Sequence, residues 1–330
     1  MADSPIAGKD YPTTWDEFVD WFAADGDCLT FLERLRWSSG FICPQCGSTN
    51  SPYAGSRNRM ICRDCKRQTT ATAGTIFDKT RTPLRVWFAA AWYITSQKQG
   101  VSALGLQRVL GFSSYETAWT ILHRFRRAMI RPGRERLKGN VEVDETYVAI
   151  TQHKDPKTKA GRKSGTTKTL VAIAVETLEP KGFGRVRLRR IQSDAEIHLL
   201  PFVLNAVEPG SHVRTDGSSS YRSLVKHGYM HDPHVMSGAA SPAHVTMPAV
   251  HRIASLLKRW LLGTHQGAIQ PNQLDYYLDE FTFRFNRRSS NSRGLLFYRL
   301  IQQSILTEPV TYRQIVQKQP DGKNSVELSG

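Results

Sequence analysis

Two pairs of cysteines have the spacing of metal ligands. The sequence contains Cys43-Pro-Gln-Cys46 and Cys62-Arg-Asp-Cys65, and 15 residues separate the two pairs. A CxxC turn brings both of its sulfurs to one side of a tight loop, so two such turns can enclose one ion. Because all four positions are filled by protein, we predict a structural Zn²⁺ site at Cys43, Cys46, Cys62 and Cys65. Redox chemistry would require only one pair, and iron is the minor alternative.

Carboxylates lie at the ends of two predicted strands. Glu142-Val-Asp144-Glu145 lies on or at the end of the first strand, and Asp216 ends a later one just before Gly217. Because side chains alternate along a strand, Glu142 and Asp144 face the same side of the sheet. Two carboxylates at the tips of neighbouring strands can hold divalent cations through oxygen ligands. The alternative is that these acids only form turns.

A histidine and a lysine share one face of a predicted helix. His251 and Lys258 are seven residues apart, which leaves them about 20° from alignment at 3.6 residues per turn. An imidazole can bind a metal ion or orient a water molecule, and an ammonium group can contact a phosphate. A structural histidine and a lysine on a solvated helix face are the alternative interpretations.

The net charge indicates a polyanionic partner. The chain of 330 residues has 45 Lys and Arg against 29 Asp and Glu, a formal net charge of +16. Residues 55–140 hold seventeen basic and four acidic side chains, together with aromatic residues that require burial. This excess favours nucleic acid over a membrane surface. No apolar run approaches the roughly 20 residues of a membrane helix, the N-terminus lacks a secretory signal, and five cysteines are too few for a disulfide scaffold.

Periodicity divides the chain into helical and mixed regions. Helices are predicted within 14–37, from Pro83 onward, over Ser102–Leu110 and from about Ser114 to Met129, and the last two form a helix-turn-helix outline around Gly111. Strands then alternate with helices, which predicts a mixed sheet flanked by helices. We therefore expect an α+β multidomain fold. Its predicted parts are an N-terminal helical segment (1–40), a zinc ribbon (41–80), a helix-turn-helix-like DNA-binding region (81–132), a mixed α/β domain (139–312) and a polar tail (313–330).

The combination resembles the zinc-ribbon insertion-sequence transposases, whose DDE-type catalytic domain has the ribonuclease-H-like fold. The likeness runs from about residue 14 to 312, and the order and spacing of its pieces are more specific than any one of them. The matching pieces are the Cys43–Cys65 ribbon, Val-Glu-Val-Asp144-Glu-Thr-Tyr147, Thr-Asp216-Gly, Ser255-Leu-Leu-Lys258-Arg-Trp and Glu280-Phe-Thr-Phe-Arg-Phe-Asn286-Arg-Arg288.

The resemblance implies a transposase that binds the terminal inverted repeats of its element and performs metal-dependent hydrolysis and strand transfer. It implies that Asp144 and Asp216 hold Mg²⁺ or Mn²⁺ and that Lys258 contacts a DNA phosphate. The third motif position is usually a glutamate, and here it is His251. The imidazole could accept a softer ion such as Mn²⁺ or orient the attacking water, and Glu142 or Glu145 could supply the missing carboxylate.

DNA, both element ends and target, is the expected partner, and joining two ends implies a homo-oligomer in the bacterial cytoplasm at the nucleoid. An inactive DNA-binding regulator or domesticated transposase is the main alternative, and a nuclease acting on RNA–DNA hybrids is another. A zinc hydrolase is disfavoured because no HExxH motif is present. The side chains expected to contact DNA are Arg57, Arg59, Arg63, Lys66 and Arg67 in the ribbon, Arg124, Arg126 and Arg127 at the end of the last helix before the linker, and Lys163 in the basic loop 151–168.

Overall fold

The computed structural model describes residues 4–131, 133–151, 166–180, 182–234, 246–267 and 269–316. The chain divides into two compact units. The first consists of residues 1–131 and 290–315, and the second of residues 132–289 and 316–330. Lys163, most of the basic loop and the tail beyond residue 316 lie outside the described residues.

The helices and strands follow one another in three stretches. The first unit begins with α1 (Trp15–Trp21), α2 (Asp25–Arg36), β1 (Tyr53–Ala54), β2 (Met60–Ile61), β3 (Gln68–Thr69), α3 (Leu84–Ser96), α4 (Ala103–Leu110) and α5 (Tyr115–Ala128). The second unit contains β4 (Asn140–Thr151), β5 (Thr166–Thr177), β6 (Phe183–Ile191), α6 (Glu196–Ala206), β7 (His212–Asp216), a 3-10 helix (Ser219–His227), β8 (Met230–His234), α7 (Pro248–His265) and α8 (Leu274–Asn286). Then come α9 (Arg293–Ser304) and α10 (Tyr312–Val316). None of the helices in these described stretches is long and apolar enough to cross a membrane.

Aromatic rings form the core of the first unit. The ring of Phe22 lies 4.8 Å from that of Phe88 on α3 and 5.7 Å from that of Phe297 on α9. Phe297 is fully buried at the centre of this cluster, so α9 belongs to the first unit. The sequence-based domain 139–312 differs from the structure here, because an apolar helix face does not reveal which core it joins.

Helices α4 and α5 have the predicted helix-turn-helix outline. The side chain of Ser102 accepts a hydrogen bond from the backbone N–H of Gly105 at 3.0 Å and starts α4. Gly111 ends α4 with a φ of 68°, a left-handed conformation that glycine adopts without a steric penalty. Helix α5 begins at Tyr115, only four residues later.

The second unit is built on a five-stranded mixed sheet, as far as its residues are described. The strand order is β6-β5-β4-β7-β8. Strands β4, β5 and β6 pair antiparallel, whereas β7 runs parallel to β4 and β8 runs parallel to β7. In chain order this is third, second, first, fourth, fifth, the topology of the ribonuclease-H-like fold. The predicted mixed α/β fold is confirmed.

Helices cover both faces of this sheet. On one face, Ile173 of β5 packs in the same cluster as Ile253 of α7. On the other face, Val143 of β4 packs with Phe202 of α6. Because side chains alternate along β4, Asp144 lies on the α7 face of the sheet.

Asn286, at the end of α8, forms two hydrogen bonds with the edge strand β6. Its side-chain Oδ1 accepts a hydrogen bond from the N–H of Val186 at 2.7 Å, and its Nδ2 donates to the carbonyl of Val186 at 3.1 Å. Arg288 donates to the carbonyls of Phe183 and Gly184 on the same strand. The amide thus replaces a neighbouring strand, which satisfies edge groups that would otherwise be open to pairing.

Candidate functional site

The four predicted cysteine ligands converge in the zinc ribbon. Their sulfurs all lie within 4.8 Å of one another. The Sγ atoms of Cys43 and Cys65 are 3.6 Å apart, and those of Cys46 and Cys62 are 3.7 Å apart. Tetrahedral zinc with bonds of about 2.3 Å separates its sulfurs by about 3.8 Å. The four thiols therefore fit a structural Zn²⁺ ion.

The two knuckles of the ribbon have the same backbone conformation. The N–H of Gly47 donates to the carbonyl of Cys43 at 2.9 Å, and the N–H of Lys66 donates to the carbonyl of Cys62 at 3.1 Å. The residue after the second cysteine has a positive φ in both, 72° at Gly47 and 60° at Lys66. Gly47 makes this turn predictable from the sequence in the first knuckle. In the second knuckle Lys66 adopts the same conformation.

Asp144 and Asp216 meet at the point where two parallel strands part. The ladder between β4 and β7 ends with the pair Glu142 and Arg214. Asp144 follows on β4, and Asp216 is the last residue of β7. Oxygens of Asp144, Asp216 and Glu145 lie within 4.8 Å of one another. The structure thus brings together the two aspartates that were predicted from 72 residues apart in the chain.

Glu145 joins this group from the opposite face of the sheet. Strict alternation along β4 directs it away from Asp144, toward the buried Tyr221 of the 3-10 helix. There its Oε2 accepts a hydrogen bond from the hydroxyl of Tyr221 at 2.8 Å. Beyond the pair Glu142 and Arg214 no residue of β7 pairs with β4 in the described chain. The carboxylate of Glu145, on the far face of the sheet, can therefore enter the gap between β4 and β7.

Burial makes Asp144 and Glu145 difficult to ionise. It raises the pKa of Asp144, and the charges of Asp216 and Glu142 raise it further, while a backbone hydrogen bond and the charge of His251 lower it. Burial, followed by the charges of Asp144, Asp216 and Asp194, raises the pKa of Glu145 to about 7 despite the bond from Tyr221. A bound divalent cation would supply the missing positive charge, so the donor set fits Mg²⁺ or Mn²⁺.

Glu142 has a different environment from its two acidic neighbours. Its side chain is only 4% exposed. Its Oε2 accepts hydrogen bonds from the N–H groups of Ala249 and Val250 at 2.8 and 3.0 Å. These N–H groups belong to the first turn of α7, where helices leave donors without partners and favour negative charge. Glu142 therefore caps the helix that carries His251.

His251 and Lys258 lie on α7 as predicted. His251 is half-buried, and its charge lowers the pKa of both Asp144 and Glu142. Its nitrogens lie outside the group of three carboxylates that come within 4.8 Å of one another. Lys258 is exposed, two turns further along the helix.

Comparison with known proteins shows that two parts of the chain match transposase domain families. Residues 136–286 match the ISXO2-like transposase domain, and residues 23–68 match the transposase zinc-ribbon domain. Together the matches span more than half of the chain and contain both sites described above. The chain belongs to the zinc-ribbon insertion-sequence transposases.

The chain is similar to one curated protein and, more weakly, to several solved structures. A protein in the transposable element ISH50 of Halobacterium salinarum, described as uncharacterized, is 26% identical over 276 residues, which are 80% of this chain and 91% of the relative. The Mos1 transposase paired-end complex with left transposon end has 14% identity and a TM-score of 0.29, covering 66% of this chain and 75% of that chain. The Mos1 strand transfer complex has 15% identity and a TM-score of 0.27 over the same shares.

The ribbon of this transposase exposes the basic side chains expected to contact DNA. Arg63 lies 4.5 Å from the ring centroid of Tyr53 and donates to the carbonyl of Ser51 at 2.7 Å. Two contacts hold this guanidinium in one orientation on the surface. The exposed basic set of the ribbon is Arg57, Arg59, Arg63, Lys66 and Arg67.

The arginines at the end of α5 differ from their predicted role. Arg126 is only 2% exposed and donates to the carbonyl of Val101 at 3.3 Å. Arg124 donates to the carbonyls of Val310 and Ile76 at 2.8 and 3.0 Å. These two side chains donate to internal carbonyls and are not placed to read a DNA groove. Arg127 is half-buried. Amphipathic spacing alone could not separate a buried arginine from a solvent-facing one.

Proposed function

We propose that this chain is an active DNA transposase that binds the terminal inverted repeats of an insertion sequence and cuts and joins DNA with Mg²⁺ or Mn²⁺. The meeting of Asp144 and Asp216 at the parting of β4 and β7 carries the proposal. Carboxylates from neighbouring strand ends are suited to hold divalent cations at a scissile phosphate. Membership of a transposase family supports the same reaction class.

The residues of the site take separate roles in this proposal. Divalent cations, when bound, activate the attacking hydroxyl and stabilise charge at the phosphate. Asp144 and Asp216 hold these cations through their oxygens. His251, on the capped first turns of α7, completes the site or orients the attacking water. Lys258 contacts a DNA phosphate beside the scissile bond.

The basic surface of the chain binds the element ends. The exposed ribbon arginines and lysine supply phosphate contacts, which fix position but carry no sequence information. Sequence readout falls to the helix-turn-helix outline, where the N-terminal part of the second helix reads the major groove in such motifs. Here that part is the start of α5, with Tyr115 and Glu116 exposed. Two bound ends imply a homo-oligomer.

Cleavage of duplexes that carry the element ends tests this function. The substitution D216N should abolish strand cleavage and joining with Mg²⁺ or Mn²⁺, because it removes an anionic ligand. The matched control is D232N on the neighbouring strand β8, where Asp232 pairs with Arg214 on the surface at 2.9 Å. D232N should cleave as wild type does. Cleavage by D216N at the wild-type rate contradicts the proposal.

A DNA-binding regulator without catalysis is the second candidate. The histidine at position 251, where the family usually has a glutamate, is the observation that favours it. Such a protein would bind end DNA tightly and leave both strands intact with either metal. The same cleavage experiment, run beside a binding titration, separates the two candidates.

A further inference from the structure

We propose that Glu145, and not Glu142, supplies the third carboxylate of the divalent-cation site, and that Tyr221 positions it. This inference rests on the proposed function, since it concerns the same cations. It assigns separate roles to two glutamates that the sequence alone presents as equivalent substitutes for the missing acid at position 251.

Glu142 already accepts hydrogen bonds from the protein backbone. Its Oε2 accepts two backbone hydrogen bonds, from Ala249 at 2.8 Å and from Val250 at 3.0 Å. The side chain is 4% exposed, so neither solvent nor a ligand has free access to it. A cation could bind Glu142 only at this buried position, against the first turn of α7, which carries His251.

Glu145 has the position and the free lone pairs that a metal ligand needs. One of its oxygens lies within 4.8 Å of oxygens of Asp144 and Asp216. Tyr221 donates to Oε2 at 2.8 Å, and a carboxylate has further lone pairs for a cation. No lysine or arginine among the described residues forms an ion pair with these three carboxylates. The charge of His251 lowers the pKa of Asp144, but its nitrogens lie outside the group of three carboxylates.

Tyr221 is placed to fix the orientation of Glu145. Its side chain is 1% exposed and belongs to the core on the α6 face of the sheet. A buried ring cannot move without disturbing this core, so its hydroxyl holds the carboxylate at the gap between β4 and β7. Hydrogen bonds that orient a metal ligand typically change metal affinity by about 10–100-fold when removed.

A Mn²⁺ titration of the full-length, zinc-loaded protein tests this assignment, with free Mn²⁺ measured by electron paramagnetic resonance. E145Q and Y221F should each weaken Mn²⁺ binding by at least about tenfold. E142Q should bind within about twofold of wild type, because the amide oxygen still accepts the bonds from Ala249 and Val250. Without Mn²⁺, E145Q should melt no lower than wild type, since it removes one of three neighbouring like charges.

Each alternative outcome has a defined meaning. If E145Q binds Mn²⁺ as wild type does while D144N does not, the assignment of Glu145 is overturned and the proposed function stands. If D144N and D216N both bind like wild type, the proposed function itself fails. In the E145Q background, Y221F should cause no further loss, and an equal loss in both backgrounds would overturn the positioning role of Tyr221.

Discussion

Glu142 on β4 accepts a hydrogen bond from the backbone N–H of Val250 on α7, at 3.0 Å. Asp144 lies two residues after Glu142, and His251 follows Val250 directly. One contact therefore fixes the strand that carries the first aspartate against the helix that carries the histidine. The distance between Asp144 and His251, which lie far apart in the chain, therefore depends on this hydrogen bond.

Removal of this cap should loosen the site. E142A should lower the free energy of unfolding by about 1–3 kcal/mol, because two buried N–H groups lose their acceptor. E142Q should lose less, since an amide oxygen can still accept. Urea unfolding of the purified proteins measures both values, and equal losses in the two variants would contradict the capping role.

The raised pKa of Glu145 predicts a pH-dependent stability in the absence of Mg²⁺ and Mn²⁺. The folded protein keeps this proton until a pH of about 7, whereas an ordinary glutamate in the unfolded chain releases it near 4.5. The free energy of unfolding should therefore fall as the pH rises through this window. E145Q removes the titration, so its stability relative to wild type should rise by about 1–2 kcal/mol, discounted for partial exposure.

Urea unfolding at pH 5 and at pH 7.5, with zinc retained, checks this difference. The shifts of Asp144 and Glu142 have the same direction, but both remain in E145Q and cancel in the comparison. Parallel pH profiles for wild type and E145Q would show that Glu145 titrates normally.

Loss of one ribbon cysteine should release the structural zinc. C62S removes one of four ligands, and the protein should bind substantially less than one equivalent of zinc. C28S is the matched control, because Cys28 is equally buried but lies on α2, outside the cluster of four thiols. Zinc content after gel filtration, measured by mass spectrometry, decides the point. Equal zinc in both variants would contradict a four-thiolate site.

Arg67 and Arg126, which the sequence analysis both assigns to DNA contacts, should differ in their effects on DNA binding and on stability. Arg67 is exposed in the ribbon, and R67A should weaken DNA binding and reduce the slope of log affinity against log salt by about 0.9. Arg126 is buried and donates to the carbonyl of Val101, so R126A should cost about 1–3 kcal/mol of stability. Binding titrations at several salt concentrations and urea unfolding measure these effects. A stable R126A with weakened DNA binding would reverse the assignment.

The sequence predicts those parts of the site that depend on local spacing. The CxxC pairs determine the ribbon ligands, alternation places Glu142 and Asp144 on one face of the sheet, and helical periodicity aligns His251 with Lys258. In each case the deciding pattern lies within one short segment.

What the sequence does not predict depends on distant contacts. Glu145 enters the site only because β7 stops pairing with β4 beyond Arg214, and no pattern within β4 reveals where its neighbour ends. Strand β8, Met-His-Asp-Pro-His, has low intrinsic strand propensity and forms by pairing with β7. The placement of α9 likewise depends on which aromatic core accepts Phe297.

The most direct test of the cation site is a crystal structure of the transposase with end DNA and Mn²⁺, with data collected for the anomalous signal of manganese. We predict anomalous peaks in contact with carboxylate oxygens of both Asp144 and Asp216, at about 2.0–2.3 Å. Manganese bound elsewhere, or neither aspartate in contact with an ion beside a bound scissile phosphate, would contradict the account.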